Sequence, residues 1–378
     1  MPWLEVSTMS SRQEFVLLCV QPGANMARLC RRFGISRKTG YKWRTRFLSG
    51  GAQALSDHSR RPHRSPARTR ASVEKAIVRL RKQRHWGGRK LQSRLAALGH
   101  RDLPAISTIS GILKRCGLID VKLSEQHRSL QRFERAAPNE LWQMDFKGHF
   151  AMRQGRCHPL TVLDDHSRYA LALRACADER AQTVMQQLTT TFRRYGLPEW
   201  MLMDNGPPWG APHEQIRLTA LAIWLIRLGI RITHGRAYHP QTQGKDERFH
   251  RTLNTELIQR HAFRDLQQCQ RHFDRWRDIY NLERPHEGIR MQVPAQRYQP
   301  STRSFPKRLP AIQYDAGERV RKVQNNGEVS FQGRSVRLSQ ALHGAPVAFR
   351  PTTQEGIWQV YFCHQQIAVI NLRECYRT

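Results

Sequence analysis

The spacing of apolar residues changes twice along this chain, and that limits the architecture more than any single motif does. Up to about residue 120 they recur at helical spacing, from about Leu141 they fall into strand-like runs, and from about Asp315 short β runs alternate with turn residues. With 378 residues and 39% hydrophobic content the chain can build several modest cores. The pattern predicts a multidomain protein with all-α modules in front, an α/β middle and a small C-terminal β-barrel.

The front reads as two helical groups. Between Ser11 and Leu48, Phe15, Leu18, Cys19, then Ala27, Leu29, Cys30, Phe33, then Trp43 and Phe47 mark three short helices, with Gly34 and Ile35 at a sharp turn. Ser36 is placed to cap the third helix, leaving Arg37, Lys38, Tyr41, Lys42 and Arg44 largely off the Trp43 face. That is a helix-turn-helix with a basic recognition helix, expected over residues 1–55. A basic linker (56–70, with Arg60, Arg61 and Arg64) leads to a second helical DNA-binding domain (71–120), in which Gly87 and Gly88 separate the first two helices. A solvated charged face on a plain helical bundle is the competing reading of the front.

Charge decides between them. The chain carries 63 Lys and Arg against 30 Asp and Glu, and residues 1–137 alone hold 29 against 8. Such a surplus repels itself unless a polyanion is the partner, so double-stranded DNA is expected. The eight cysteines form no CxxC pair and read as reduced core thiols. No apolar run of membrane length and no leader pattern is seen, so the expectation is a cytoplasmic, nucleoid-associated protein with no membrane partner.

In the middle, strands are expected at 141–146, 158–163, 169–174, 200–204 and 231–233. Helices are expected at 180–195, 218–228, 244–260 and 266–280. Three acids stand at strand ends or a helix start: Asp145 in LWQMDFKG, Asp204 in MLMDNGPPWG and Glu247 in HPQTQGKDERFHRTL. Cleaving a phosphodiester needs an activated oxygen and a stabilised leaving oxygen, which two divalent ions about 4 Å apart supply together. Mg²⁺ takes hard oxygen ligands and keeps several waters, so a few carboxylates suffice, with Mn²⁺ as the alternative ion. Taken singly, each acid is more often a cap, a turn residue or half of a salt bridge.

Five ordered motifs give the set its meaning: WQMDF, TVLDDHSRY, DNGPPW, AYHPQTQGKDERFHRTL and YNLERPHEG. Over residues 138–298 the chain resembles the DDE, RNase H-like catalytic core shared by retroviral integrases and bacterial insertion-sequence transposases. The resemblance implies that Asp145, Asp204 and Glu247 form the catalytic, metal-binding triad. Asp246 is the nearest competitor, but adjacent helix positions point about 100° apart, so only one of the two can face the metals. The spacing departs from the family: 42 residues separate Asp204 from Glu247, more than in many members.

Lys245, Arg248 and Arg251, with Gln241 and Gln243, are placed to hold DNA phosphates near the helix start, the alternative being a solvated face with Glu247 and Arg251 paired. Asp164 and Asp165 are assigned to hydrogen bonding within their turn, and Tyr280, Asn281, Arg284, Pro285 and His286 to a structural role at least as readily as a functional one. The barrel is expected over residues 312–378. The expected activity is DNA transposition: recognition of terminal inverted repeats, strand cleavage and strand transfer into target DNA by a homo-oligomer. The rivals are a regulator with an inactive core and a nuclease of the same fold that does not join strands.

Overall fold

The computed structural model describes residues 8–57, 68–119, 134–210, 218–234 and 244–373, and falls into two compact units, Met1–Arg68 and Thr69–Thr378. Arg60, Arg61 and Arg64, and with them Gln241 and Gln243, lie outside the described residues.

In the first unit, α1 (Thr8–Cys19), α2 (Met26–Arg32) and α3 (Arg37–Gly50) close on Phe15, Val16, Cys30, Trp43 and Leu55. Asn25 caps α2 by accepting from the Arg28 N–H, and Ser36 caps α3 by accepting from the Thr39 N–H. Gly34, at φ +63°, makes the turn between them. Gly40 lets α3 cross close to α2, since a Cβ there would lie 2.6 Å from the Cys30 sulfur.

The second unit begins with α4 (Ala71–Arg84), α5 (Gly88–Ala97) and α6 (Ile106–Arg115), packed on Ile77, Trp86, Leu91, Leu95, Ile109 and Leu113. They dock against α10 (Leu266–Leu282): Ile279 joins their core, and Arg84 and Arg94 both reach Glu283 just beyond it, at 2.9 and 3.2 Å.

The middle is a mixed sheet of β1 (Leu141–Phe146), β2 (Phe150–Ala151), β3 (Arg156–Asp164), β4 (Ala170–Cys176), β5 (Trp200–Met203) and β6 (Arg231–His234). β3 lies between β1 and β4, antiparallel to both, and the two-residue β2 also pairs with it. β5 runs parallel to β1, and β6 parallel to β5. α7 (Ala181–Tyr195) and α8 (Ala220–Arg227) share one apolar core with Trp142, Met144 and Phe146 of β1. α9 (Gly244–Glu256) and α10 pack against Cys157, Leu163, Ala170 and Leu173 in a second core. Side chains alternate along a strand, so Gln143 and Asp145 project from β1 opposite to its aromatic residues. This is the mixed α/β arrangement expected of the middle of the chain.

Among the described residues, the C-terminal strands do not close into the expected β-barrel. Instead β7 (Arg319–Lys322), β10 (Pro346–Pro351), β11 (Ile357–Phe362) and β12 (Gln365–Asn371) make an open antiparallel sheet, and β8 (Glu328–Phe331) with β9 (Arg334–Arg337) makes a separate hairpin. Two features explain why. The edge strand β7 reads Arg-Val-Arg-Lys and is exposed along its length, a charged edge that resists another strand. The apolar side, with Phe331 stacked on Phe349 at 3.9 Å, merges with the core that covers α7 and α8 rather than closing on itself.

Candidate active site

Strand register brings the first two acids together. Leu141 pairs with Trp200 and Gln143 with Leu202 across parallel β1 and β5. The same offset carried two residues further reaches Asp204, just past β5, opposite Asp145, whose carboxyl feels the Asp204 charge. Asn205, Gly206 and two prolines turn the chain away there, and Trp209 returns to stack on Phe146, ring centroids 5.4 Å apart.

The third acid comes from α9, whose buried stripe is Asp246, Phe249 and Leu253, the i, i+3, i+7 pattern of a docked helix face. Asp246 is therefore turned inward, 2% exposed, with its Oδ1 lacking a hydrogen-bond partner among the described residues. Burial first, then the charges of Asp145 and Asp165, push its carboxyl well above the usual range, against the pull of Lys245. Glu247 is exposed, as is Asp204, and Asp145 keeps 27% of its side chain open. A ligand that shares its ion with a DNA phosphate has to stand on this open rim, which favours Glu247 over the sealed Asp246.

The electrostatics tie the acids together. The Asp145 carboxyl is pushed up to about 7, chiefly by burial and further by Asp204, Glu179 and Glu247, with the Phe146 backbone N–H pulling it down. A carboxylate crowded by like charges in a half-buried cleft is a site that a hard cation would relieve. Among the described residues no three carboxylate, imidazole or thiol groups are already gathered as a metal cage.

Sequence reasoning missed His250 and Thr161. Thr161, the partner of Asp145 in the β1 and β3 register, donates its hydroxyl to the Asp145 carbonyl at 3.0 Å and stands 2.8 Å from His250 Nε2. Since that hydroxyl proton is already given to the carbonyl, His250 Nε2–H is the donor. Its Nδ1, 4.0 Å from Asp145 Oδ2, then carries the lone pair. Burial, then Lys147, lowers the imidazole to about 4, so His250 is neutral at neutral pH and is no ion-pair partner. The HRTL run on α9 holds the signal, His250 lying one turn beyond Asp246 and Glu247 on a helix that packs against β1.

The expected DNA contacts divide. On α3, Arg37, Lys38, Tyr41, Lys42 and Arg44 are all exposed, with Trp43 buried beneath them. On α9, Arg248 and Arg251 are exposed. Lys245, expected among them, instead places its ammonium on the buried carboxylate of Asp165. Asp164 accepts within its turn from the Ser167 N–H at 2.7 Å but also outside it from the Asn139 N–H at 2.8 Å, and Asp165 likewise reaches outside, to Gln143 and the Arg135 N–H. In the YNLERPHEG motif, Asn281 bonds both backbone groups of Ala170 on the edge strand β4, and Arg284 forms a buried pair with Glu256 of α9 at 3.0 Å. The motif thus fixes α9 and α10 to the sheet.

The chain, whose mixed sheet carries acids near two neighbouring strand ends and on a covering helix, matches the family model "Integrase core domain" over residues 135–240 and again over 228–294. More particularly, residues 318–377 match "IS481 family transposase, C-terminal domain", and the front matches "Helix-turn-helix domain" at 11–63 and "Homeodomain-like domain" at 39–113. The chain resembles bacterial insertion-sequence transposases with an integrase-type core. It is 26% identical over 160 residues to an insertion element IS407 protein of Burkholderia multivorans, covering 42% of this chain and 55% of that one. It is 27% identical over 159 residues to an insertion element IS476 protein of Xanthomonas euvesicatoria, covering 42% and 44%. The chain thus spans about half the length of these curated relatives. A simian T-cell lymphotropic virus intasome structure aligns at 15% identity and a TM-score of 0.39, covering 79% of this chain and 96% of that one. Among the described residues, no helix is long and apolar enough to cross a membrane.

Proposed function

We propose that this chain is a DNA transposase: it binds the terminal inverted repeats of a mobile element, cleaves a phosphodiester there, and joins the freed 3′-OH to target DNA. The observation that supports the reading is that the β1 and β5 offset, carried two residues on, reaches Asp204 opposite Asp145, whose carboxyl also feels the charges of Asp204 and the exposed Glu247. Asp145, Asp204 and Glu247 would hold divalent ions, Mg²⁺ or Mn²⁺, and their all-oxygen donor set with its crowded negative charge fits such ions. Bound there, the ions supply the charge that activates the attacking oxygen and steadies the leaving one. Neutral His250 and Thr161 hold the strand beneath Asp145. Arg248 and Arg251 face the phosphates of the DNA entering the cleft, and Arg37, Lys38, Tyr41, Lys42 and Arg44 take the element end. Joining two ends requires two active sites, so the working species on DNA is a homo-oligomer.

The test compares end-bearing duplex with unrelated duplex in EDTA and in Mg²⁺. The reading expects preferential binding of the end sequence in both, and joined products only in Mg²⁺. Cleavage without joining would identify a nuclease, and binding without either reaction a regulator.

A further inference from the structure

Asp165 is fully buried and sits at a crossing point. Its backbone N–H donates to the Leu141 carbonyl at the start of β1, at 2.9 Å. One carboxylate oxygen, Oδ1, accepts from Gln143 Nε2 at 2.7 Å and also from the ammonium of Lys245. The other oxygen accepts from the Arg135 N–H at 2.9 Å, and the Asp165 carbonyl accepts from Lys245 at 3.2 Å and from the Arg168 side chain. Gln143 lies two residues before Asp145 on the same face of β1, and Lys245 lies two residues before Glu247 in the first turn of α9. One oxygen atom therefore ties the strand that carries the first rim acid to the helix that carries the third.

Resting on the reading of Asp145, Asp204 and Glu247 as ion ligands, we propose that Asp165 and Lys245 are positioning residues that set the distance between Asp145 and Glu247 and the rotation of the first turn of α9. Neither reaches the rim. A buried ion pair is a poor source of net stability, because desolvation offsets most of the attraction, but it fixes geometry well once both charges are satisfied. Here the carboxylate's donors come from β1, from residue 135 and from α9, so losing its charge releases α9 from β1 while Phe249 and Leu253 still hold the helix on the sheet. Groups that orient metal ligands without touching the metal typically change affinity by about 10–100-fold when removed.

The experiment measures Mn²⁺ binding to the full chain by electron paramagnetic resonance, with thermal unfolding in EDTA measured in parallel. The variants are Asp165→Asn, Lys245→Met, their double, and Asp145→Asn. Asp165→Asn and Lys245→Met are expected each to weaken Mn²⁺ binding by roughly tenfold. The double should be no weaker than either single, since both remove the same ion pair. The double, which leaves no unpaired buried charge, should keep the wild-type melting temperature in EDTA. If Asp145→Asn abolishes binding while the double binds Mn²⁺ as tightly as wild type, the positioning role is overturned and the acids' role stands. If Asp145→Asn itself binds like wild type, the ligand reading fails and this inference fails with it.

Discussion

Asp145 shows how a single side chain can be more at ease with its charge removed. Its carboxyl, ordinarily near 3.8, is raised to about 7 in the folded chain, so the folded state holds the proton more tightly than the unfolded one. The sign follows from linkage: its contribution favours folding below about pH 4 and is lost progressively as pH rises through 7. In EDTA, wild type should therefore lose stability relative to Asp145→Asn between pH 4 and 7, and at pH 8 the variant should melt higher by about 2 °C. Melting curves that stay parallel across that range would contradict the crowding described here. Asp145 and Asp204 could be singled out as candidates from sequence because each sits in an ordered motif at a strand end. Lys245 was not legible, because a basic residue at a helix start looks solvated and its partner, Asp165, lies 80 residues earlier. Nor was His250, whose neutrality comes from burial that no residue count reveals.

At the scale of elements, packing decides which interactions matter. In α3, Gly40→Ala gains helix propensity of about 1 kcal/mol, but the added Cβ meets the Cys30 sulfur at 2.6 Å. Overpacking typically costs about 1–3 kcal/mol, so the variant should be less stable in urea, through the first unit. Just past α10, Arg284→Ala leaves the mostly buried Glu256 without this cation, a loss of about 3–5 kcal/mol that should appear in chemical denaturation of the second unit. A stability unchanged by Arg284→Ala would show that the YNLERPHEG motif acts elsewhere than in holding α9. Most strands and helices could be read from periodicity, β1 to the residue. Whether the C-terminal strands close could not be read, because closure depends on whether a charged edge strand finds a partner and on which neighbouring core takes the apolar side. Both are tertiary facts.

For the whole molecule, charge and chemistry belong to different regions: the surplus of basic residues is concentrated before residue 138, and the three rim acids come after it. If α3 grips the backbone, replacing Arg37, Lys38, Lys42 and Arg44 with Gln should reduce the slope of log affinity against log salt by about 0.9 for each phosphate no longer neutralised. An unchanged slope would move the grip to another part of the chain. The central claim is that three acids on an open rim carry DNA joining while their buried neighbour does not. Strand transfer in Mg²⁺ should be lost in Asp145→Asn, Asp204→Asn and Glu247→Gln, with DNA binding in EDTA intact, and kept in Asp246→Asn. Joined products from Glu247→Gln at wild-type level, with none from Asp246→Asn, would contradict the account and place the third ligand inside the fold.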